Sequence, residues 1–288
     1  MLTNDQIAQF REQGFVVAKG GATPEQVAAL RAQLDRWTEE SRAHDTNYGE
    51  TVDGKKRFDL EPGHSAATPK LRRVANPPDI SEAYAEVLFD APLVDMVAQL
   101  IGPDVKYHHS KLNNKYPGMQ TKVDWHQDHA FDPHSNDDVV VSLLMLDAMN
   151  EENGCLMIVP GSQRERHSHF QNGRFIGATA PEHDADFARR ATRITGKPGD
   201  VCLMHTWCLH ASGANRSGAP RRLLICDYTA ADAVPLQAPQ MLSPHSGRIV
   251  RGQPSRIARL KPDTIEMPPV YDDDSFFSVQ ETKTGTGG

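Results

Sequence analysis

The chain has 288 residues, 38% hydrophobic and 24% charged, which fits a soluble globular protein with a sizeable core and excludes a disordered one. A formal net charge of −7 without a compact basic stripe argues against a nucleic-acid partner. No apolar run reaches the ~18 residues of a membrane span, the start Met1-Leu2-Thr3-Asn4-Asp5 lacks a secretory pattern, and four cysteines without CxxC spacing read as reduced thiols in a cytoplasm.

In chain order, Thr3 is a good N-cap for a helix carrying Ile7 and Phe10, and Gly14 is its natural stop. Phe15-Val16-Val17 reads as a short strand. Thr23-Pro24-Glu25-Gln26 opens a second helix, whose Val27, Leu30, Leu34 and Trp37 make one apolar stripe. Residues 41–70 show little periodicity and read as a long loop, either a lid or a connector. Residues 79–100 look helical in two pieces, the second starting at Pro92.

From Val105 the texture changes to short β-favouring runs between turn residues. Strands are expected at 105–115, 120–128, 139–147, 154–159, 173–178, 190–195, 200–206 and 220–230. Eight strands match a jelly roll, whose mouth can hold a metal. Residues from Tyr271 to Gly288 read as a tail.

The chemistry centres on Trp125-His126-Gln127-Asp128-His129. On an extended strand His126 and Asp128 share a face and can grip one metal ion. A single His-x-Asp is weak, so a third ligand is needed. His210 supplies it, closing one β-run and opening the turn Ala211-Ser212-Gly213. Two imidazoles and a carboxylate suit non-haem Fe(II) with positions left for O2 and a co-substrate; the same set can bind zinc. Arg221 lies one hairpin further on, and its planar guanidinium is suited to clamp a carboxylate. A 2-oxo acid needs this pair: a metal for its keto acid end, an arginine for its far carboxylate. Ser212 can add a hydroxyl there, or simply shape a turn. Arg222 falls on the opposite face.

With these residues in hand, the chain resembles the phytanoyl-CoA dioxygenase family of Fe(II)/2-oxoglutarate oxygenases. The likeness runs through Leu2-Thr3, Gln6, Phe10 and Gly14-Phe15-Val16; Trp125-His126-Gln127-Asp128; Asn153-Gly154-Cys155-Leu156 and Pro160-Gly161-Ser162; Gly199-Asp200, His210-Ala211-Ser212-Gly213, Asn215 and Arg221. It implies a mostly β fold, a double-stranded β-helix (jelly-roll, cupin-like) core with N-terminal helices packed outside. It also implies one oxygenase domain over 1–288: a helical N-terminal region over 1–104, the core 105–230, and a C-terminal extension and tail 231–288. Fe(II), 2-oxoglutarate and O2 follow as cofactor and co-substrates. His126, Asp128 and His210 match the iron ligands; Arg221 and Ser212 match the residues at the distal carboxylate. Lys111 stands where the family often has methionine, and Leu143 where it often has tryptophan. Lys111 shares its strand face with His109 and Asn113, a face turned into the barrel, and Arg73 lies near a basic residue used toward 2-oxoglutarate.

The activity so implied is hydroxylation of a C–H bond of a small molecule, with release of succinate and CO2. Desaturation, epoxidation, cyclisation and demethylation use the same residues, and a cupin-like protein that binds metal without turnover is the reading from another class. Halogenation is disfavoured because Asp128 is present. His205 reads as a packed histidine facing away from His210 on one straight strand; His129 and His134 as lining an entrance; Asn215 as shaping the turn after His210. The Arg- and His-rich segment 160–190 reads as a solvated loop. The sequence leaves monomer and homodimer both open.

Overall fold

The computed structural model describes residues 1–118, 122–261 and 264–269. The expected tail, and the first residues of the strand expected at 120–128, lie outside them. Helix α1 (Asn4–Gln13) starts at a Thr3–Gln6 capping box and stops at Gly14, φ 83°. Space also requires glycine there, since a Cβ would stand 2.4 Å from Cys208 Sγ. Strand β1 (Phe15–Ala18) leads to helix α2 (Pro24–Glu40), opened by a Thr23–Gln26 capping box and burying Val27, Leu30, Leu34 and Trp37.

The segment expected as a long loop is instead a sheet extension. Strands β2 (Tyr48–Glu50) and β3 (Lys56–Leu60) pair with each other, and β3 pairs with β4 (Leu71–Ala75). Their charges hid them. Arg57 bonds Asp79 at 3.1 Å and Arg73 bonds Asp59 at 2.7 Å, all four side chains nearly buried, so residues that look solvated are inward ion pairs. Phe58 stacks on Tyr48 at 4.6 Å and meets Trp37 edge-on. Helices α3 (Glu82–Asp90) and α4 (Pro92–Ile101) follow as two pieces, with Pro92 opening the second.

The remaining elements are β5 (Val105–Lys115), β6 (Val123–His126), β7 (Val139–Met145), β8 (Leu156–Ile158), β9 (Phe170–Gln171), β10 (Arg174–Phe175), α5 (Asp184–Arg190), β11 (Thr192–Arg193), β12 (Val201–His205), β13 (His210–Ser212), β14 (Arg221–Ala230) and β15 (Ile249–Arg251). The large sheet runs β1-β12-β7-β14-β5-β4-β3-β2, with β15 also on β5; the small one runs β11-β8-β13-β6. Four strands of each form the expected jelly roll. The jelly-roll count is corrected in one place: the strand expected at 173–178 is only β10, which pairs with β9 in a hairpin outside both sheets, and the missing strand is β13, opened rather than closed by His210.

The large sheet is covered on both faces, so all seven residues of β7 are buried. Val140 and Leu144 join a core with Leu30, Leu34, Tyr84 and Leu88 from the helices. Val141, Leu143 and Met145 point the other way, into the barrel, with Leu156, Ile158, Met204 and Leu223. Tyrosines buried in the helical layer keep partners: Tyr84 Oη donates to Leu30 O at 2.9 Å and Tyr228 Oη to Leu88 O at 2.7 Å. Among the described residues no helix is long and apolar enough to cross a membrane, and all four cysteines are buried and free.

Asn76, after β4, ties these layers together from the left-handed region at φ 42°. Its Nδ2 donates to Met241 O and Leu242 O, both at 3.1 Å, and its Oδ1 accepts from Tyr107 Oη and Ser110 N. Asn76→Ala strands these partners in the core and should destabilise the fold by about 3 kcal/mol or more. Urea unfolding checks it: the midpoint should fall while the m-value holds.

Candidate active site

Three donor atoms meet at the mouth of the barrel. His126 ends β6 and pairs in register with His210 at the start of β13, placing the rings 4.1 Å apart. Asp128 does not continue the strand, as expected from alternation, but opens a 3-10 turn. That turn swings the carboxylate back between the imidazoles: Oδ1 lies 3.5 Å from His126 Nε2 and Oδ2 3.6 Å from His210 Nε2. Donors at ~2.1 Å from one ion stand about 3.0–3.4 Å apart, so the set has the size of a metal site.

The tautomers suit it too. His126 Nδ1 bonds Asp124 O at 2.8 Å and His210 Nδ1 bonds Cys208 O at 3.0 Å. A carbonyl only accepts, so each Nδ1 carries the proton and each Nε2 offers a lone pair. Burial and the neighbouring His126 lower the His210 pKa to about 4. Burial opposes charge on Asp128, but His210 and His126 outweigh it and hold the carboxyl below its usual range. A neutral His210 beside an ionised Asp128 is the combination a divalent cation requires of them.

Between the two ligands, Gln127 is completely buried. Its Nε2 donates to Trp207 O at 2.6 Å and Glu165 O at 3.0 Å, its Oε1 accepts from His167 N, and its backbone N–H donates to His169 Nε2 at 2.9 Å. The 160–190 segment is therefore not a plain solvated loop. His169 is buried beneath the metal strand, and the Arg166 guanidinium lies 3.9 Å from the centre of the Trp207 ring.

A cavity of about 800 Å³, counting the portion open to solvent, runs inward from the three donors. Its lining includes Lys111, Asn113, Leu143, Ser212, Arg221 and Arg73. The inner end is cationic. Arg221 opens β14 opposite Lys115, the last residue of β5, and both are buried. Lys115 Nζ donates to Ser212 Oγ at 3.0 Å and to Gly213 O. Arg221 Nη1 touches only Met149 Sδ at 3.7 Å, and its Nε has no hydrogen-bond partner. Among the described residues neither cation has a carboxylate within ion-pair distance. Burial lowers the Arg221 pKa to about 10; burial and then the charge of Arg221 depress Lys115 well below the lysine range. Two crowded, buried cations beside a hydroxyl form an anion receptor.

Lys115 is the residue that sequence reasoning missed, although the alternation placing His109, Lys111 and Asn113 inward extends to it. Lys111 sits nearer the donors, its charge acting on both Asp128 and His210. Arg73 lines the cavity, but its guanidinium is engaged by Asp59. His205 and His210 are not on one straight strand: β12 ends at His205, a tight turn follows, and β13 begins the small sheet. His205 is packed, its Nδ1 accepting from Trp207 N at 3.1 Å. His129 stacks on Trp207 at 4.2 Å, and with His134 it lines a small outer pocket. Asn215 shapes its turn as expected, donating to Lys115 O and Ala219 O, both at 2.8 Å.

Two imidazoles and one carboxylate converging at one end of a jelly-roll cavity, with a buried arginine and lysine at the other, match the donor set of a class of non-haem oxygenases. The phytanoyl-CoA dioxygenase (PhyH) family model matches residues 10–223, and the chain belongs to that family. It is 32% identical over 234 residues to a probable alpha-ketoglutarate-dependent hypophosphite dioxygenase of Stutzerimonas stutzeri, covering 79% of this chain and 82% of the relative. It is 25% identical over 253 residues to the ectoine dioxygenase of Bordetella parapertussis, covering 80% and 76%. Among solved structures, EctD from S. alaskensis with bound Fe superposes with a TM-score of 0.65 at 24% identity, over 90% of this chain and 87% of that one. The non-heme alpha ketoglutarate dependent carbocyclase SnoK from nogalamycin biosynthesis gives 0.64 at 20%, over 85% and 92%. The chain is thus an Fe(II)/2-oxoglutarate-dependent dioxygenase.

The Lys115–Arg221 pair carries a stability signature. A lysine whose folded pKa is depressed binds fewer protons folded than unfolded. Stability without ligand should therefore rise with pH, from the depressed pKa up to the ordinary value near ~10.4. Lys115→Met should abolish that rise and leave the ligand-free protein at least as stable as the wild type near neutral pH. Chemical denaturation across the alkaline range tests both statements.

Proposed function

We propose that His126, Asp128 and His210 hold Fe(II), that Arg221 and Lys115 hold the far carboxylate of 2-oxoglutarate, and that the enzyme hydroxylates a C–H bond of a small polar molecule. The observation that carries this reading is the pairing, in one cavity, of the three convergent donors with buried Arg221 and Lys115, which have no carboxylate within ion-pair distance among the described residues. When bound, iron and 2-oxoglutarate supply the activation of O2 that yields succinate, CO2 and a hydroxylated product.

The chain's own residues bind, orient and keep dry. Arg221 offers a planar fork, Lys115 a point charge, and Ser212 a hydroxyl already oriented by Lys115. Bringing in a dicarboxylate relieves the repulsion between the two cations, so the end that is costly when empty is satisfied when filled. Leu143, Val141, Leu223 and Ile225 line the stretch between receptor and donors. They exclude water and hold the co-substrate extended, with Lys111 beside its keto acid end. Nδ1–H bonds to Asp124 O and Cys208 O keep both imidazole lone pairs aimed inward. We read residues 1–288 as one catalytic unit in the cytoplasm, without a nucleic-acid partner. The relatives named for hypophosphite and ectoine support a small, polar substrate.

Anaerobic Fe(II) plus 2-oxoglutarate should give a weak visible charge-transfer band, and air should then yield succinate. His126→Ala should lose iron binding and the band together. Arg221→Ala should weaken 2-oxoglutarate binding by about 30-fold or more, the scale for truncating one partner of a buried charge pair. Unchanged 2-oxoglutarate affinity in that variant would refute the assigned clamp.

A further inference from the structure

We propose that the chain holds a second divalent metal ion, bound by His108, His109 and Asp132 beside the first site. The three offer one donor atom each, and these lie within 4.8 Å of one another, all from buried residues. His108 Nε2 touches Asp132 Oδ2, and His109 Nδ1 is 3.6 Å from the same oxygen.

Consecutive residues of a regular strand point to opposite faces. Here β5 bulges: Tyr107 pairs with Tyr228 and His109 with Asp227, leaving His108 as the extra residue. A bulge re-aims a side chain, and bulges gather beside active sites. This one brings two neighbouring imidazoles to a single carboxylate. Asp132 comes from the turn that starts at Asp128, its backbone N–H donating to Asp128 O at 3.3 Å. One short turn thus contributes a carboxylate to each site.

Several polar atoms of the cluster are left over. Among the described residues, His109 Nδ1, Asp132 Oδ1 and the adjacent His134 Nε2 are buried without a hydrogen bond. His108 Nε2 and Asp132 Oδ2 are in ion-pair contact. A His108–Asp132 ion pair alone would leave Asp132 Oδ1, His109 Nδ1 and His134 Nε2 unsatisfied, whereas buried polar groups normally have partners. His109 Nε2 faces the Asp227 carboxyl at 3.7 Å, an ion-pair distance, which leaves its Nδ1 on the side of Asp132. His134 Nδ1 bonds Asp132 O at 2.9 Å, the same two-residue pattern as His126 and His210, so its Nε2 is an acceptor without a donor. Its ring centre is 4.7 Å from that of His108, where it can complete the coordination. Two imidazoles and a carboxylate select a first-row transition ion, with zinc the natural occupant.

The full-length, metal-stripped protein titrated anaerobically with Co(II), followed by visible absorption and metal analysis, tests this. Wild type should take up two equivalents, Asp132→Asn one, His126→Ala one, and the double variant none. His108→Gln should repeat the Asp132→Asn result should the asparagine variant fold poorly. Zinc should raise the Tm of His126→Ala but not that of the double variant, and Asp132→Asn should keep the Fe(II)/2-oxoglutarate band. A single equivalent in wild type, or two retained in both Asp132→Asn and His108→Gln, overturns the second site. Two equivalents in His126→Ala with one in Asp132→Asn would support the second site while overturning the iron assignment.

Discussion

Antiparallel register does the positioning in this molecule. One ladder sets His126 opposite His210 and another sets Arg221 opposite Lys115. A one-residue slip in either pairing would turn its side chains to the opposite face. The slip is prevented from outside the site. Val140 and Leu144 are committed to the helical core while Val141, Leu143 and Met145 fill the barrel, so β7 has no alternative phase that keeps both faces buried. The helices contribute to chemistry only in this indirect sense: by burying the outer face, they fix which residues face inward.

Electrostatics in the cavity follow from that burial. Lys115 and Arg221 are buried opposite each other with no carboxylate at ion-pair distance among the described residues. At the other end the opposite balance holds, with an ionised carboxylate between two imidazoles. The two ends differ in sign and in hardness, so an elongated dianion with a chelating head has one productive orientation.

Much of this was legible in the sequence, and the remainder was hidden for physical reasons. The N-terminal helices announced themselves through Thr3, Thr23, Pro24 and Gly14, whose capping roles are local. His126, Asp128, His210 and Arg221 stood out in the sequence because such a donor set has few other uses, and the fold brings all four to the lining of one cavity. Strands β2 and β3 were not visible because Arg57 and Asp59 bury their charges against Asp79 and Arg73, a pairing across 22 and 14 residues that no local pattern displays. Strand β13 is only three residues long, too short for alternation to register. The approach of Asp128 depended on a 3-10 turn that mimics the outcome of strand alternation by another route. The cluster at His108, His109 and Asp132 arises from a bulge, and a bulge is a property of the pairing between two strands rather than of either one.

Gln127 has a consequence for how such a scaffold can diversify. One residue, placed between His126 and Asp128, fastens the end of β6 to residues 165–169 and to Trp207. The chain beyond that fastening, through the small hairpin and α5, can lengthen, shorten or change composition without tugging on the donors. The reacting centre and the surface that meets the substrate are thereby mechanically separated by a few ångströms of hydrogen-bonded amide. An ancestor with this arrangement could explore new substrates by altering one excursion of the chain while its oxidative machinery stayed in calibration.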